Sequence, residues 1–363
     1  MVKIPKVHGG NVHKASRLLH TSLDKILDYS ANINPLGMSA KGMDAVNVAF
    51  QHVIHYPDPD MTDLFAITSK LWDMPKECIA FGNGAAELIY AICRLPKIEA
   101  VYVPAPGFSE YSHGAHSCGL TVIEYELQFD KESFHFAYPL DTILHDLNQS
   151  KNRLVFIGNP NNPCGTLWKD RSGELFEVCK KNGHYLVFDE SFIDFLGDTY
   201  SIRNYVKDYD NVIVVHSLTK FYAVPGLRIG AMMANPMITE FIKEHIPAWS
   251  VNHIAQIYSE EALQDVDYVQ KTRKVLKKEK EWLYKELTKI EPLQCIEPSV
   301  NYILCHLHEQ YSLEDMILNL YHQSILIRDC SHYTGLGPNW FRIAVKTREQ
   351  NLQLLKALQA YFT

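Results

Sequence analysis

The run SLTKFYAVPGLRIG, Ser217 to Gly230, sets a lysine, Lys220, just beyond an apolar segment, NVIVVHS, and an arginine, Arg228, eight residues further on. A desolvated lysine amine is a nucleophile towards carbonyl groups. Four other stretches that read as the ends of apolar strands carry residues of unusual type. GNGAAE brings Gly84, Ala85 and Ala86 to the opening of a helical pattern, where small side chains let backbone N–H groups approach an anion. VFDES closes an apolar run with Asp189 and Glu190, carboxylates that are costly there without a partner. GNPNNPCG holds Asn159 and Asn162 in a Pro/Gly-rich turn, and APGF holds the aromatic Phe108. Each of these is, alone, as readily structural: asparagines satisfy turn backbone, phenylalanines pack and lysines are solvated.

The elements that must position these residues are legible between about residues 75 and 235. CIAF leads through GNGAAE into ELIYAICRL, whose apolar residues recur at helical spacing. EAVYVPAPGF, RLVFIGNP, HYLVFDES, NVIVVHS and LRIGAMMAN read as strands, and Leu167 to Asn182 reads as a helix between two of them. Continuous apolar strands separated by helices predict an α/β fold with a mostly parallel sheet covered on both faces. Ligands of such sheets lie beyond the carboxyl ends of the strands. A lysine for a covalent bond to an aldehyde, a carboxylate for a pyridinium nitrogen and an anion cradle for a phosphate are together the requirements of one cofactor, pyridoxal 5′-phosphate.

After Pro247 the pattern changes. A charged helical pattern covers about Ala255 to Ile290, followed by strand, helix, strands and a last helix whose Thr347 and Gln350 form a capping-box signature. We expect an N-terminal arm over 1–35 that packs on a smaller α+β unit at 251–363, and a large cofactor-binding domain over 36–250. The chain has 363 residues, 47% hydrophobic and 21% charged, an ordinary globular composition with room for two domains. A formal net charge of −7 argues against nucleic acid as a partner. No apolar run reaches the ~20 residues that span a bilayer, and the N-terminus lacks a signal-peptide core, so a cytoplasmic protein without membrane contact is expected. The eight cysteines contain no CxxC pair and read as small buried thiols. His52 with His55, and His113 with His116, lack a recognised ligand pattern, so no metal is expected.

The series GNGAAE, APGF, NPNNPCG, DES and SLTKFYAVPGLRIG resembles the fold-type I aminotransferases, in the branch that holds histidinol-phosphate aminotransferase. HGGN (His8 to Asn11), DYSANINPLG (Asp28 to Gly37), YPDPD (Tyr56 to Asp60), SFIDF, PAWSVN (Pro247 to Asn252) and ILIRDC are similar to the threonine-phosphate decarboxylases of cobalamin biosynthesis. The resemblance covers essentially the whole chain. It implies that Lys220 bonds the cofactor aldehyde, Asp189 partners the pyridine nitrogen, Asn162 bonds O3′ and Phe108 stacks on the ring. Gly84, Ala85, Ala86, Ser217, Thr219 and Arg228 would hold the phosphate, and Tyr56 would reach it from the neighbouring subunit of a homodimer. His8, Asn32, Asn162, Arg328 and Arg342 would bind a small phosphorylated amino acid. The implied reaction is decarboxylation of L-threonine O-3-phosphate, or of serine phosphate.

One departure bears on this. Aminotransferases of the branch resemble D-E-A-Y, with a tyrosine that also bonds O3′; here the position is Phe192, as in the decarboxylases. Two alternatives stay open: transamination of histidinol phosphate, and a non-catalytic module that only binds the cofactor.

Overall fold

The computed structural model describes residues 9–168 and 172–363. Seven strands form the larger sheet: β1 (Ile79–Gly82), β2 (Ala100–Ala105), β3 (Thr121–Glu126), β4 (Arg153–Gly158), β5 (Tyr185–Asp189), β6 (Val212–Ser217) and β7 (Gly230–Met233). Their order is β1-β7-β6-β5-β4-β2-β3. All neighbours are parallel except that β7 opposes both β1 and β6. Only one helical turn, Leu218–Phe221, lies between β6 and β7, so the chain returns beside β6 instead of crossing over. The edge strand β3 escaped the sequence reading because TVIEYE, partly exposed, lacks the apolar run of the interior strands.

Alternate strand residues go to opposite faces, as the pleat requires. Ala80, Val101, Leu154, Phe156, Val187 and Ile213 join one core cluster. Ile79, Phe81, Val155, Ile157, Phe188 and Val214 join another. Both faces are therefore covered, which is why these strands read as continuous apolar runs.

A smaller antiparallel sheet combines β8 (Leu293–Cys295), β9 (Tyr302–Leu307), β10 (Arg328–Asp329) and β11 (Trp340–Ala344) in the order β8-β9-β11-β10. ILIRDC, expected as one strand, is divided at Ile327. Ile325–Leu326 pairs in parallel with Leu27–Asp28, and Arg328–Asp329 turns to β11. The N-terminal segment is thereby tied to the small sheet, and Tyr29 is buried in its core. The last helix, Arg348–Phe362, carries the expected capping box of Thr347 and Gln350.

The charged pattern expected as one helix from Ala255 to Ile290 is two helices, His253–Leu263 and Val266–Leu287. Asp265 makes the break. Its side chain caps the second helix by accepting from the Tyr268 N–H, and it also accepts from the Ser39 hydroxyl at 2.6 Å. Ala255, Tyr258 and Ala262 pack in the larger core. The change of core falls within the second helix, whose Tyr268 packs in the larger core while Leu276, Leu283 and Leu287 pack in the smaller. The helix expected over Leu167 to Asn182 is described from Ser172 to Asn182; residues 169–171 lie outside the described residues. No helix among the described residues is long and apolar enough to cross a membrane. All eight cysteines are free, and only Cys118 is not buried.

Ile303, fully buried in β9, tests the small core. Ile303→Ala is expected to lower stability by about 2–5 kcal/mol in urea unfolding. A loss below ~1 kcal/mol would mean that this sheet is not closed by packing.

Candidate active site

Strand β6 delivers the lysine. Ser217, its last residue, caps the turn Leu218–Phe221 by accepting from the Thr219 N–H, and the two hydroxyl oxygens lie 2.8 Å apart. Lys220 follows in the same turn. Burial, first, and then the guanidinium groups of Arg228 and Arg342 push its amine down to about 8, against the opposing pull of Asp189. The four groups therefore share one field. An amine with that pKa both holds and releases a proton near neutral pH.

The anion cradle forms where β1 runs into the helix Ala85–Ile92. Gly84 is its N-cap, with φ +82°, and a Cβ there would lie 2.4 Å from Nη2 of Arg228. Arg228 itself takes a left-handed φ of +61°. Gly230, at the start of β7, backs onto the same turn: a Cβ on it would lie 2.5 Å from the Ala85 nitrogen. Two glycines and two alanines thus leave the first-turn N–H groups of the helix accessible beside a guanidinium, the arrangement that receives a phosphate.

Asp189 ends β5. Its Oδ1 accepts from the Ser191 N–H at 3.0 Å and the Ser191 hydroxyl at 2.5 Å, and its Oδ2 accepts from the Tyr111 hydroxyl at 2.7 Å. Oδ2 keeps lone-pair capacity for a further N–H donor. Burial and the neighbouring carboxylate hold the Tyr111 hydroxyl well above its usual range, so it stays a donor. The Tyr111 ring stacks on Phe156 at 4.6 Å and meets the edge of Phe108 at 5.7 Å. Glu190 faces elsewhere. It accepts from Asn159, Ser201 and the Ile202 N–H, and burial raises its pKa. Asn159 and Glu190 thus fix loops, while Asn162 turns its Oδ1 to Nη1 of Arg342.

Arg328 and Arg342 are direct cross-strand partners on β10 and β11, and both are buried. Like charges so placed oppose folding. Arg342 donates to the Ser30 carbonyl at 2.8 Å, lies over the Tyr302 ring at 5.5 Å, and keeps a buried Nε without a hydrogen-bond partner. Arg328 lies over the Tyr333 ring. Asn32 is buried with its Oδ1 unpartnered and its carbonyl accepting from Asn301. Tyr56 is 78% exposed and stacks on Trp249 at 4.5 Å, at the surface. His8 lies outside the described residues. A surface cavity of about 870 Å³ lined by Phe65, Phe81, Lys243 and Trp249, among others, contains none of the expected site residues.

The family model for aminotransferase class I and II matches residues 24–358. The chain belongs to that family. Its members use pyridoxal 5′-phosphate, and the residues around Lys220 fit that group: a deprotonatable buried amine, a carboxylate with a spare lone pair and a cationic N–H cradle. Threonine-phosphate decarboxylase of Salmonella typhimurium is 32% identical over 367 aligned residues, covering 100% of this chain and 98% of that protein. The adenosylcobalamin biosynthesis bifunctional protein of Leptospira interrogans is 34% identical over 98% of this chain, which spans only 41% of its length. Among solved structures, histidinol-phosphate aminotransferase of Clostridium acetobutylicum has a TM-score of 0.85 and 29% identity, covering 93% of this chain and 99% of that one.

Sequence reasoning missed Tyr111, Tyr302 and Ser30. Ser30 contributes a backbone carbonyl, which leaves no mark in its residue type. Tyr111 is one of 20 tyrosines, and only the fold shows that it meets Asp189. Ser191 stood in the VFDES motif, and its hydroxyl next to a carboxylate was a usable signal.

Two outcomes follow. Gly230→Ala forces backbone apart at Ala85, and an overpacking strain of ~1–3 kcal/mol is expected to weaken pyridoxal phosphate binding by about tenfold or more in equilibrium titration. Unchanged affinity would place the phosphate elsewhere. In the apo-protein, acylation of Lys220 followed by mass spectrometry is expected to rise through a midpoint at about pH 8. Arg228→Gln removes a charge that disfavours the ammonium, so the midpoint moves up; a wild-type midpoint near that of an exposed lysine would contradict this.

Proposed function

We propose that this enzyme decarboxylates L-threonine O-3-phosphate to (R)-1-amino-2-propanol O-2-phosphate, a step of cobalamin assembly. The observation that carries the reading is the buried arginine pair, Arg328 opposite Arg342, close enough to Lys220 for Arg342 to depress its pKa. Such a pair is stabilised by an anion between its members, and two guanidinium forks suit a phosphate. The near full-length likeness to threonine-phosphate decarboxylase supports it.

In this reading Lys220 bonds the cofactor, Asp189 takes its pyridine N–H, Asn162 donates to O3′ and Phe108 covers the ring. Gly84, Ala85, Ala86, Ser217, Thr219 and Arg228 hold its phosphate. Tyr56 serves the site of a second copy in a homodimer, which accords with its exposure. Asn32, Arg328 and Arg342, with His8, hold the substrate. Phe192 has no hydroxyl; it packs against Tyr302 at 5.1 Å, so Asn162 is the donor left on that side.

Pyridoxal phosphate, when bound, supplies an electron sink for the pair left by the broken Cα–carboxylate bond. The protein's part is placement. With the substrate phosphate gripped by Arg328 and Arg342, neither arginine is committed to the carboxylate, which is free to leave. Lys220, released when the substrate amine takes its place on the cofactor, would carry off a proton of that amine and return it to Cα, a task suited to an amine whose pKa is about 8. The fold likeness to histidinol-phosphate aminotransferase favours a second reading, transamination of histidinol phosphate.

A product assay separates them. Threonine phosphate, serine phosphate and histidinol phosphate are offered to the purified enzyme loaded with pyridoxal phosphate. The expected result is carbon dioxide and an amino-alcohol phosphate from threonine phosphate without any keto acid. Serine phosphate, one methyl smaller, is expected to give ethanolamine phosphate about 10- to 200-fold less efficiently. Turnover of histidinol phosphate that requires 2-oxoglutarate, with no carbon dioxide from threonine phosphate, overturns the proposal.

A further inference from the structure

Lys220 stands in a helical turn of only four residues, whose carbonyls find no partners within the turn. The turn is buried, so those carbonyls need donors from elsewhere. The Val224 N–H meets the Thr219 carbonyl, and Asn34 supplies donors to the next two. Its backbone N–H donates to the Lys220 carbonyl at 3.0 Å, and its Nδ2 lies 2.8 Å from the Phe221 carbonyl. The same Nδ2 is 2.9 Å from the Tyr268 hydroxyl and 3.1 Å from Oγ1 of Thr272. The side-chain oxygen accepts from the Leu36 N–H at 3.0 Å. Asn34 is 3% exposed, and every polar atom of its side chain is engaged.

Tyr268 completes the arrangement. Its hydroxyl is 2.9 Å from the Phe221 carbonyl and 2.8 Å from that of Gly37. Tyr258 does the same for the next residue, donating to the Tyr222 carbonyl at 2.8 Å. Tyr268 and Thr272 lie on the helix Val266–Leu287, which also carries Leu276, Leu283 and Leu287 into the small core. The lysine turn, the N-terminal segment and the helix joining the two cores therefore meet at one amide.

We propose that Asn34 is a positioning residue for Lys220, fixing where the amine stands relative to Asp189 and Arg342. The inference rests on the reading of Lys220 as the cofactor-bonding residue. Asparagine is the residue this place requires. Aspartate offers no donor to the Phe221 carbonyl, and alanine leaves that carbonyl dependent on Tyr268 alone. Reacting groups displaced by ~1 Å lose rate by up to about 100-fold, so the effect appears in the chemical step more than in substrate binding.

The test compares Asn34→Ala, Tyr268→Phe and Ser39→Ala with the wild type, each purified and loaded with pyridoxal phosphate. Ser39→Ala removes a buried hydroxyl bond to Asp265 that involves no atom of the lysine turn. For Asn34→Ala, kcat on threonine phosphate is expected to fall about 10- to 100-fold with KM within about twofold, and the visible band of the bound cofactor to weaken or move. Covalent capture of pyridoxal phosphate by the apo form is expected to slow by about tenfold. Tyr268→Phe, a conservative change that keeps the fold, shifts capture and band in the same direction by a smaller factor. Ser39→Ala lowers thermal stability and leaves both at wild-type values. Wild-type capture and band in Asn34→Ala overturn the proposal whatever its stability, and so does the same result in Tyr268→Phe where Asn34→Ala does not fold. A wild-type protein that develops no visible band would instead sink the reading of Lys220, and the inference with it.

Discussion

The ammonium of a lysine is ill suited to a place that is largely desolvated and flanked by guanidinium groups, and that conflict governs this site. Moving Lys220 from its usual 10.5 to about 8 means that the protonated form is disfavoured by about 3 kcal/mol. Burial contributes first, with Arg228 and Arg342 adding to it and Asp189 only partly offsetting them. The result is an amine available for covalent chemistry at ordinary pH. Each neighbour has a second use: Arg228 overlies Gly84 in the cradle, Arg342 opposes Arg328, and Asp189 keeps a lone pair free.

Such groups stay in place only because the surrounding polar atoms are satisfied. Buried polar networks rigidify a site when complete and cost stability when incomplete. Around the lysine turn and Asp189 the network is nearly complete: the Lys220, Phe221 and Tyr222 carbonyls all have donors, and Asp189 accepts three hydrogen bonds. Of the seven buried side-chain atoms without a partner among the described residues, four belong to Arg342, Asn32, Asn301 and Tyr29, in or next to the segments around the arginine pair; the other three are on Asn211, His216 and His253. The unpartnered Nε of Arg342 and Oδ1 of Asn32 are the polar atoms of the expected substrate side that a polar ligand could satisfy.

Much of this was legible in the sequence because the larger sheet is buried on both faces. Continuous apolar runs such as LVFIG and NVIVVHS mark strands whose ends must carry the ligand, and Asp189, Ser217 and Lys220 stand at those ends. Where the signal was weaker, the physics was different. TVIEYE is an edge strand with solvent on part of it. ILIRDC changes partner at Ile327, which its composition does not reveal. The helical pattern from Ala255 to Ile290 hides a break at Asp265, an N-cap recognisable only once Ser39 and the Tyr268 N–H are seen to converge on it. In the candidate site, motif residues stand out by type, whereas Tyr111 and Asn34 depend on contacts across 78 and 187 positions of sequence, beyond any local pattern.

In the proposed reaction one amine, that of Lys220, forms the covalent bond to pyridoxal phosphate. Borohydride reduction of the loaded protein, followed by proteolysis and peptide mapping, measures this directly. The cofactor's mass is expected on the peptide that contains Lys220 and on no other. Lys346 is the informative competitor, since it too is partly buried and held below the usual lysine range by desolvation. An adduct on Lys346, or no adduct at Lys220, would mean that Lys220 is not the bonding amine.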